Sequence, residues 1–307
     1  TSMTFRQKVG TLGESAFSGC SSLKTITFEG SAPVTDSYVF SGVTATCYYP
    51  ASNPTWTENK RTSMGSTLTW VGTGTAGYES AKLKNGYYEI YNLSQLYWFA
   101  QYVNDGHPSV NGRLMANITA NTGDVMAAGT YSEKTDSLQW IPIAIGATYT
   151  GIFDGNGYTI SGLYYYCKDY TQSQTRGVFG GLFHDVSGTV CDLTLDNCFF
   201  YHYNYAASIC RNNSGTIENC TVTAYVSTKG NYYQGGIAYR NLEDGTISDC
   251  TFYGRGTTAF SAYNGICYSN SGTISNCVNY SNHIRAGIAS SNYGTIRDCH
   301  NYGFISG

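Results

Sequence analysis

A five-fold internal repeat limits what this chain can become. Gly-Thr-Ile, in one case Gly-Thr-Val, is followed three residues on by Leu or Cys: Gly188-Thr189-Val190 with Leu193, Gly215-Thr216-Ile217 with Cys220, Gly245-Thr246-Ile247 with Cys250, Gly272-Thr273-Ile274 with Cys277, and Gly294-Thr295-Ile296 with Cys299. The glycines fall 27, 30, 27 and 22 residues apart, too unevenly for a helical repeat but suited to a coiling chain whose strands are constant and whose loops vary. A second row runs upstream through Leu182, Ile209, Ile237, Ile266 and Ile288, each next to Phe183, Cys210, Ala238, Cys267 or Ala289. Four residues beyond that row stand Val186, Asn213, Asn241, Asn270 and Asn292. The longest repeat keeps this offset, so its extra residues fall at Leu242, Glu243 and Asp244 as a loop.

Four repeats thus place Asn where the chain leaves a strand. Asn213, Asn241, Asn270 and Asn292, stacked at the roughly 4.8 Å spacing of paired strands, can hydrogen-bond one another and the turns above and below. A further row, Asp192, Asn219, Asp249, Asn276 and Asp298, alternates acid and amide. The alternation sets carboxylates about 10 Å apart with a donor between them. It reads as a stacked turn, with a metal-binding or catalytic acid row as the other reading. Cys220, Cys250, Cys277 and Cys299 read as an inward packing row, because free Cys behaves as a small hydrophobe. Parallel Cβ vectors oppose a disulfide between neighbours such as Cys250 and Cys277.

Short parallel strands with Ile, Val, Leu and Cys inside and Asn and Gly at corners predict an all-β fold, a right-handed parallel β-helix or solenoid. Handedness follows from the strand-crossover preference. Composition agrees, with 29 Tyr, 36 Gly and only 12% charged residues, a surface built from Thr, Ser, Asn, Gly and Tyr. Such a stack needs its ends covered. Leu96, Phe99, Ala100 and Val103 recur at helical spacing, between Asn92 or Ser94 as N-cap and Gly106 as terminator, which predicts a short capping helix near 93–104. The chain stops at Ile305-Ser306-Gly307 without a matching cap, so a fragment or a further covering domain is expected.

Residues 140–163 read as strand, turn, strand, with Asp154-Gly155 and Asn156-Gly157 as tight-turn dipeptides. The Asp/Asn pair lacks the further acids and closing Glu of an EF-type calcium loop. Gly72-Thr73-Gly74-Thr75-Ala76-Gly77 matches G-x-G-x-x-G formally, but no βαβ unit surrounds it, so 72–82 reads as a linker. Residues 83–307 then form the β-helix domain. In residues 1–71, Ala16-Phe17-Ser18-Gly19 is answered 23 residues later by Val39-Phe40-Ser41-Gly42, which suggests the truncated C-terminal end of a leucine-rich array.

Residues 13–28 resemble the BspA-type leucine-rich repeat of bacterial surface proteins, and Cys47-Tyr48-Tyr49-Pro50 through Trp56 looks like the end of such an array. Residues 87–307 look like the β-helical region of bacterial cell-surface proteins bearing GLUG-like repeats. The residues that carry this are Tyr88-Glu89-Ile90, Gln95-Leu96, Trp140-x-Pro142-Ile143, Phe153-Asp154-Gly155-Asn156-Gly157-Tyr158-Thr159-Ile160, Gly181-Leu182-Phe183 and Gly235-Gly236-Ile237-Ala238. The resemblance implies a large multidomain protein, wall-attached or secreted, with adhesion or glycan binding as its role. The expected location is extracellular or at the cell surface, with anchor and signal sequence outside this fragment.

Several functions are disfavoured. A formal charge of -3 without a basic stripe opposes nucleic-acid binding. No apolar run reaches the roughly 18 residues of a membrane span, so membrane insertion is not expected. H-E-x-x-H, Walker A and G-x-S-x-G are absent, the five His lack metal-ligand spacing, and the eleven Cys lack C-x-x-C. No cofactor or metal is expected. Parallel β-helices can carry polysaccharide lyases and glycosidases, for which Asp185, Asp192, Asp196, Asp249 and Asp298 are candidate carboxylates.

The stronger functional lead is aromatic. Tyr201, Tyr203 and Tyr205, preceded by Phe199, alternate along one strand face. Tyr164, Tyr165, Tyr166, Tyr232 and Tyr233 are expected on neighbouring loops or strands. Together they form either a platform for sugar stacking or protein contact, or an aromatic set that points inward or covers a loop. The resulting expectation is a monomeric, non-catalytic adhesion, binding or scaffold module whose partner is a host glycan, a host surface protein or another cell-wall component. A β-helical carbohydrate-active enzyme is the alternative.

Overall fold

The computed structural model describes residues 1–6, 9–36, 38–50, 53, 55–65, 67–73, 78–126, 137–167, 181–229, 233–255, 265–281 and 286–303. Strands predominate and helices are few, so the chain is all-β. Among the described strands the pairings are parallel, except for Lys82–Lys84 against Tyr87–Ile90. Two compact units divide the chain, Thr1–Ser80 and Ala81–Gly307.

In the first unit Ser2–Phe5, Thr25–Phe28, Thr46–Pro50 and Thr69–Thr73 form a parallel sheet in that order. Met3, Ile26, Cys47 and Trp70 stand opposite one another, and Ile26 and Cys47 are wholly buried. The repeated Phe-Ser-Gly segments stack as well: the Phe17 and Phe40 rings lie 5.3 Å apart at 12°, and Gly19 and Gly42 take matching left-handed φ of 72° and 73°. Trp56 closes one side of the core and donates its indole N–H to the Gly30 carbonyl at 2.9 Å. The last strand pairs Gly72 with Tyr49 and Thr73 with Pro50. The expected linker therefore begins inside a sheet, while residues 74–77 lie outside the described residues.

The second unit opens with a hairpin closed by Asn85 and Gly86, both left-handed, as a two-residue primed turn requires. Helix Leu93–Asn104 follows, with the Asn92 side chain accepting from Gln95 N and the Gln95 side chain accepting in return from Tyr91 N. Its buried face carries Leu96, Phe99, Ala100 and Val103. At its end the Asn104 amide accepts from Ile145 N at 2.8 Å and donates to the Pro142 carbonyl at 3.2 Å. One helical side chain thereby supplies Ile145 with a bond that a preceding strand would otherwise give.

From Ile143 onward the chain visits three sheets in fixed order, six times in all. Sheet I holds Ile143–Tyr149, Phe183–Val186, Cys210–Asn213, Ala238–Asn241, Cys267–Asn270 and Ala289–Asn292. Sheet II holds Ile152–Asp154, Thr189–Cys191, Thr216–Glu218, Thr246–Ser248, Thr273–Ser275 and Thr295–Arg297. Sheet III holds Thr159–Ser161, Thr194–His202, Thr221–Thr228, Thr251–Gly254, Val278–Asn279 and His300–Asn301. Each pass through the three sheets is one rung. Val190, Ile217, Ile247, Ile274 and Ile296 stand opposite one another along sheet II. Ile217, Ile247 and Ile274 have no exposure, each burial stabilising by roughly 1.5–3 kcal/mol.

The corners explain the repeat. A Cβ on Gly215 would sit 2.1 Å from the Gly188 carbonyl, and one on Gly272 or Gly294 2.2 Å from the glycine carbonyl of the rung before. These glycines are required by close backbone approach, not by conformational freedom. Between sheets I and II the Asn213 Nδ2 donates to Asn241 Oδ1 at 2.8 Å, Asn241 to Asn270 at 2.8 Å, and Asn270 to Asn292 at 2.7 Å. Between sheets II and III, Asp192, Asn219, Asp249, Asn276 and Asp298 all take φ of 49–54°, the left-handed region that Asn and Asp tolerate best among residues with a side chain. Just after each corner, Cys220, Cys250, Cys277 and Cys299 turn their thiols toward the carbonyls two residues back at 3.1–3.2 Å. No disulfide joins the eleven cysteines.

Asn241→Ala deletes an acceptor and donors buried inside the row, and urea denaturation is expected to show a loss of about 3 kcal/mol. Gly215→Ala is expected to cost about 1–3 kcal/mol by overpacking; parent-like midpoints for both variants would contradict the corner geometry. Burial pushes the Cys198 and Cys267 thiols up to about 12 from an ordinary 9.0. Above 9.0 the unfolded chain loses thiol protons that the folded chain keeps, so stability present below that pH is lost as pH rises toward 12. Urea midpoints that stay level from neutral pH through this range would contradict the buried thiols.

Candidate functional site

The structure corrects the sequence-derived tyrosine platform. Strand Thr194–His202 shifts register between Leu195 and Cys198, with Asn197 left-handed at φ 50°. Beyond that bulge Cys198, Phe200 and His202 are wholly buried, while Phe199 and Tyr201 face the other way. They do not reach solvent. Asn197 accepts from Val125 N at 3.2 Å and donates to the Gly123 carbonyl at 2.6 Å, and Val125 and Met126 pack over Tyr164, Tyr166, Phe199, Tyr201 and Tyr225. Tyr164, Phe199 and Tyr225 form a ring stack with 5.1 Å steps, and Tyr166 lies 5.1 Å from Tyr201. Tyr165 is buried as well, 6.0 Å from the His202 ring. Tyr203 lies past the end of the strand, half-buried beneath Lys229, whose Nζ stands 4.9 Å from the ring centre. Tyr232 lies outside the described residues.

Tyr205 and Tyr233 do come together, on the outer face of sheet I. Position 211 and the residues after Ala238 and Cys267 point away from the core, so Arg211, Tyr239 and Tyr268 stand side by side across three strands. Tyr239 lies 4.8 Å from Tyr205 and 5.3 Å from Tyr268. Tyr233, 45% exposed, stands nearly perpendicular to Tyr239 at 82° and to Tyr268 at 76°. The Arg240 guanidinium lies 5.0 Å from the Tyr239 ring centre. Burial raises the Tyr239 phenol above its ordinary range, so the ring stays neutral at physiological pH. Arg211 grips Asp185 through two nitrogens, with Nε at 2.9 Å from Oδ1, and Asn212 N adds a third bond at 3.1 Å. His184, buried opposite Arg211, is held below its usual pKa by burial and by the Arg211 charge, and is neutral.

A second aromatic row was also missed from sequence. Tyr253, Tyr280 and Tyr302, each three residues after a corner Cys, stack on sheet III at 4.9 and 5.1 Å with interplanar angles of 5° and 14°. Rings stacked so closely spend their faces on one another and present edges to solvent, which suits sheet stabilisation better than sugar stacking.

In the acid row Asn219 Nδ2 donates to Asp192 Oδ1 at 2.6 Å. Asp154, Cys191 and Asp192 bring potential ligand atoms within 4.8 Å of one another. The Asp154 carboxylate, however, takes Arg113 Nε at 2.7 Å on one oxygen and Asn156 N at 2.7 Å on the other, so its charge already has a partner.

No protein-family model matches the chain, and no solved structure matches it. Halomucin of Haloquadratum walsbyi (strain DSM 16790 / HBSQ001) is 32% identical over 179 residues, 56% of this chain and 2% of halomucin. The chain therefore spans a small fraction of the curated relative it matches. Among the described residues no helix is long and apolar enough to cross a membrane.

The burial difference between the two tyrosine groups is measurable. Tyr201→Ala empties a packed site and is expected to cost about 3–5 kcal/mol in chemical denaturation, whereas Tyr233→Ala is expected to stay within about 0.5 kcal/mol. Equal losses in the two variants would contradict this assignment of covered and open rings.

Proposed function

We propose that this chain is a non-catalytic carbohydrate-binding module of a large extracellular surface protein, with a right-handed parallel β-helix as its scaffold. The observation that carries the reading is the convergence of Tyr205, Tyr233 and Tyr268 on the buried Tyr239, with Arg211, Arg240 and Asp185, around one outer face. A pyranose ring has an apolar C–H face and a rim of hydroxyls. Tyrosine rings pack against the first, while phenol, guanidinium and carboxylate groups bond the second.

Six passes through three parallel sheets in constant order, with a helix completing the first strand, support the β-helix scaffold. Residues 1–71 are read as the end of a leucine-rich array, 72–82 as a linker and 83–307 as the β-helix domain, in keeping with the resemblance to BspA-type and GLUG-like bacterial surface proteins. Similarity to a stretch amounting to 2% of halomucin fits one module among many in a very long chain. The partner is a host glycan, a host surface protein or another cell-wall component, met by a monomer. The alternative of a lyase or glycosidase needs a pair of carboxylates open to a sugar; Asp185, one of its candidates, is held by Arg211 through two bonds, which favours binding.

A glycan array probed with the parent chain, Tyr233→Ala and Tyr268→Ala tests the reading. Retention on at least one glycan is expected, falling about tenfold in each variant. Absence of binding by the parent, or parent-like binding by both variants, would overturn it.

A further inference from the structure

The geometry points to an anionic saccharide, one bearing carboxylate or sulfate groups, as the ligand class of the sheet I face. The inference rests on the binding role proposed above and names what that face selects. In a chain of net charge -3, one exposed cation is laid on this aromatic patch and a second on a tyrosine close to it in sequence. The Arg240 guanidinium lies over Tyr239, and Lys229 lies over Tyr203, two residues before Tyr205. Neither forms an ion pair among the described residues, although Glu243 and Asp244 follow Arg240 closely in sequence. The nearest acid on the sheet, Asp185, is already neutralised by Arg211 through two bonds and by a backbone amide. Among the described residues the patch therefore presents the Arg240 guanidinium without an ion-pair partner.

Position strengthens the case. Arg240 stands opposite Asn212 and Ser269 on the neighbouring strands, so one planar cation is flanked by a carboxamide and a hydroxyl. A guanidinium offers paired N–H donors that match the two oxygens of a carboxylate or sulfate. With the ring of Tyr239 beneath it, the guanidinium loses little freedom on binding. The Tyr233 ring, open to solvent, supplies the apolar surface for the sugar itself.

The test measures binding of the intact chain to immobilised polygalacturonate, heparin and neutral mannan, at low and raised salt. Binding to one or both anionic polymers and not to mannan is expected, and the first two arms separate carboxylate from sulfate. Arg240→Gln is expected to weaken that binding about tenfold, and Lys229→Gln to weaken it less. Arg255→Gln, which removes an exposed cation just beyond a sheet III strand, is expected to leave it unchanged. Equal binding to mannan, with Arg240→Gln matching the parent, overturns the anionic assignment and leaves sugar binding standing. An equal loss in Arg255→Gln shows diffuse charge attraction and also overturns it. Binding to none of the three overturns both the assignment and the role it rests on.

Discussion

A buried carboxamide has two donors and an acceptor that must be paired in the interior, and Asn241 finds its partners in adjoining rungs. Its oxygen accepts from Asn213, and its nitrogen reaches Asn270, the Gly245 carbonyl and the Thr273 carbonyl. The Asn213 and Asn270 nitrogens are bonded in the same way. A register slip by one residue would strand every amide of the row and turn the sheet II isoleucines outward. The row thus fixes alignment as well as adding stability. The glycine that follows each Asn permits it, because only a residue without Cβ lets one corner lie against the carbonyl of the last.

Fixing the corners leaves the connections free to vary. The 30-residue repeat places its surplus at Leu242–Asp244 without disturbing Asn241 opposite Asn213. The candidate site uses both kinds of position. Arg211, Tyr239, Arg240 and Tyr268 project from strands that the rows hold rigid, whereas Tyr205 and Tyr233 come from connections between sheets III and I. A scaffold that sets some contacts firmly and takes the rest from loops suits a recognition surface. The stack of Tyr253, Tyr280 and Tyr302 is made of one strand residue and two residues just past the ends of the next sheet III strands, and its rings serve one another.

Much of this order was legible in the chain. The constant offset from Ile209, Ile237, Ile266 and Ile288 to the Asn row was visible because corners tolerate few substitutions, and the structure pairs those Asn residues directly. The alternating Asp and Asn row read as a turn, and its shared left-handed φ gives the reason. The tyrosines were read less well. Tyr201 looked like part of an open face, but exposure depended on Val125 and Met126, more than seventy residues earlier, folding over it through Asn197. A strand end at His202 also separated Tyr201 from Tyr203 and Tyr205, which simple alternation could not show. Tyr239 and Tyr268 were accessible to the same counting, one residue past Ala238 and Cys267, yet no local tyrosine cluster drew attention to them. Tyr253, Tyr280 and Tyr302 carried a signal too, three residues after Cys.

The most direct measurement of the central claim is a methyl NOESY spectrum of the chain with isoleucine δ-methyl groups labelled. Cross-peaks are predicted to link Ile217 with Ile247, Ile247 with Ile274, and Ile274 with Ile296, as neighbours about 4.8 Å apart across parallel strands, and to be weak or missing between Ile217 and Ile274. A spectrum lacking the three neighbour peaks, or pairing these methyls in another order, would contradict the aligned rungs on which both the scaffold and the candidate site depend.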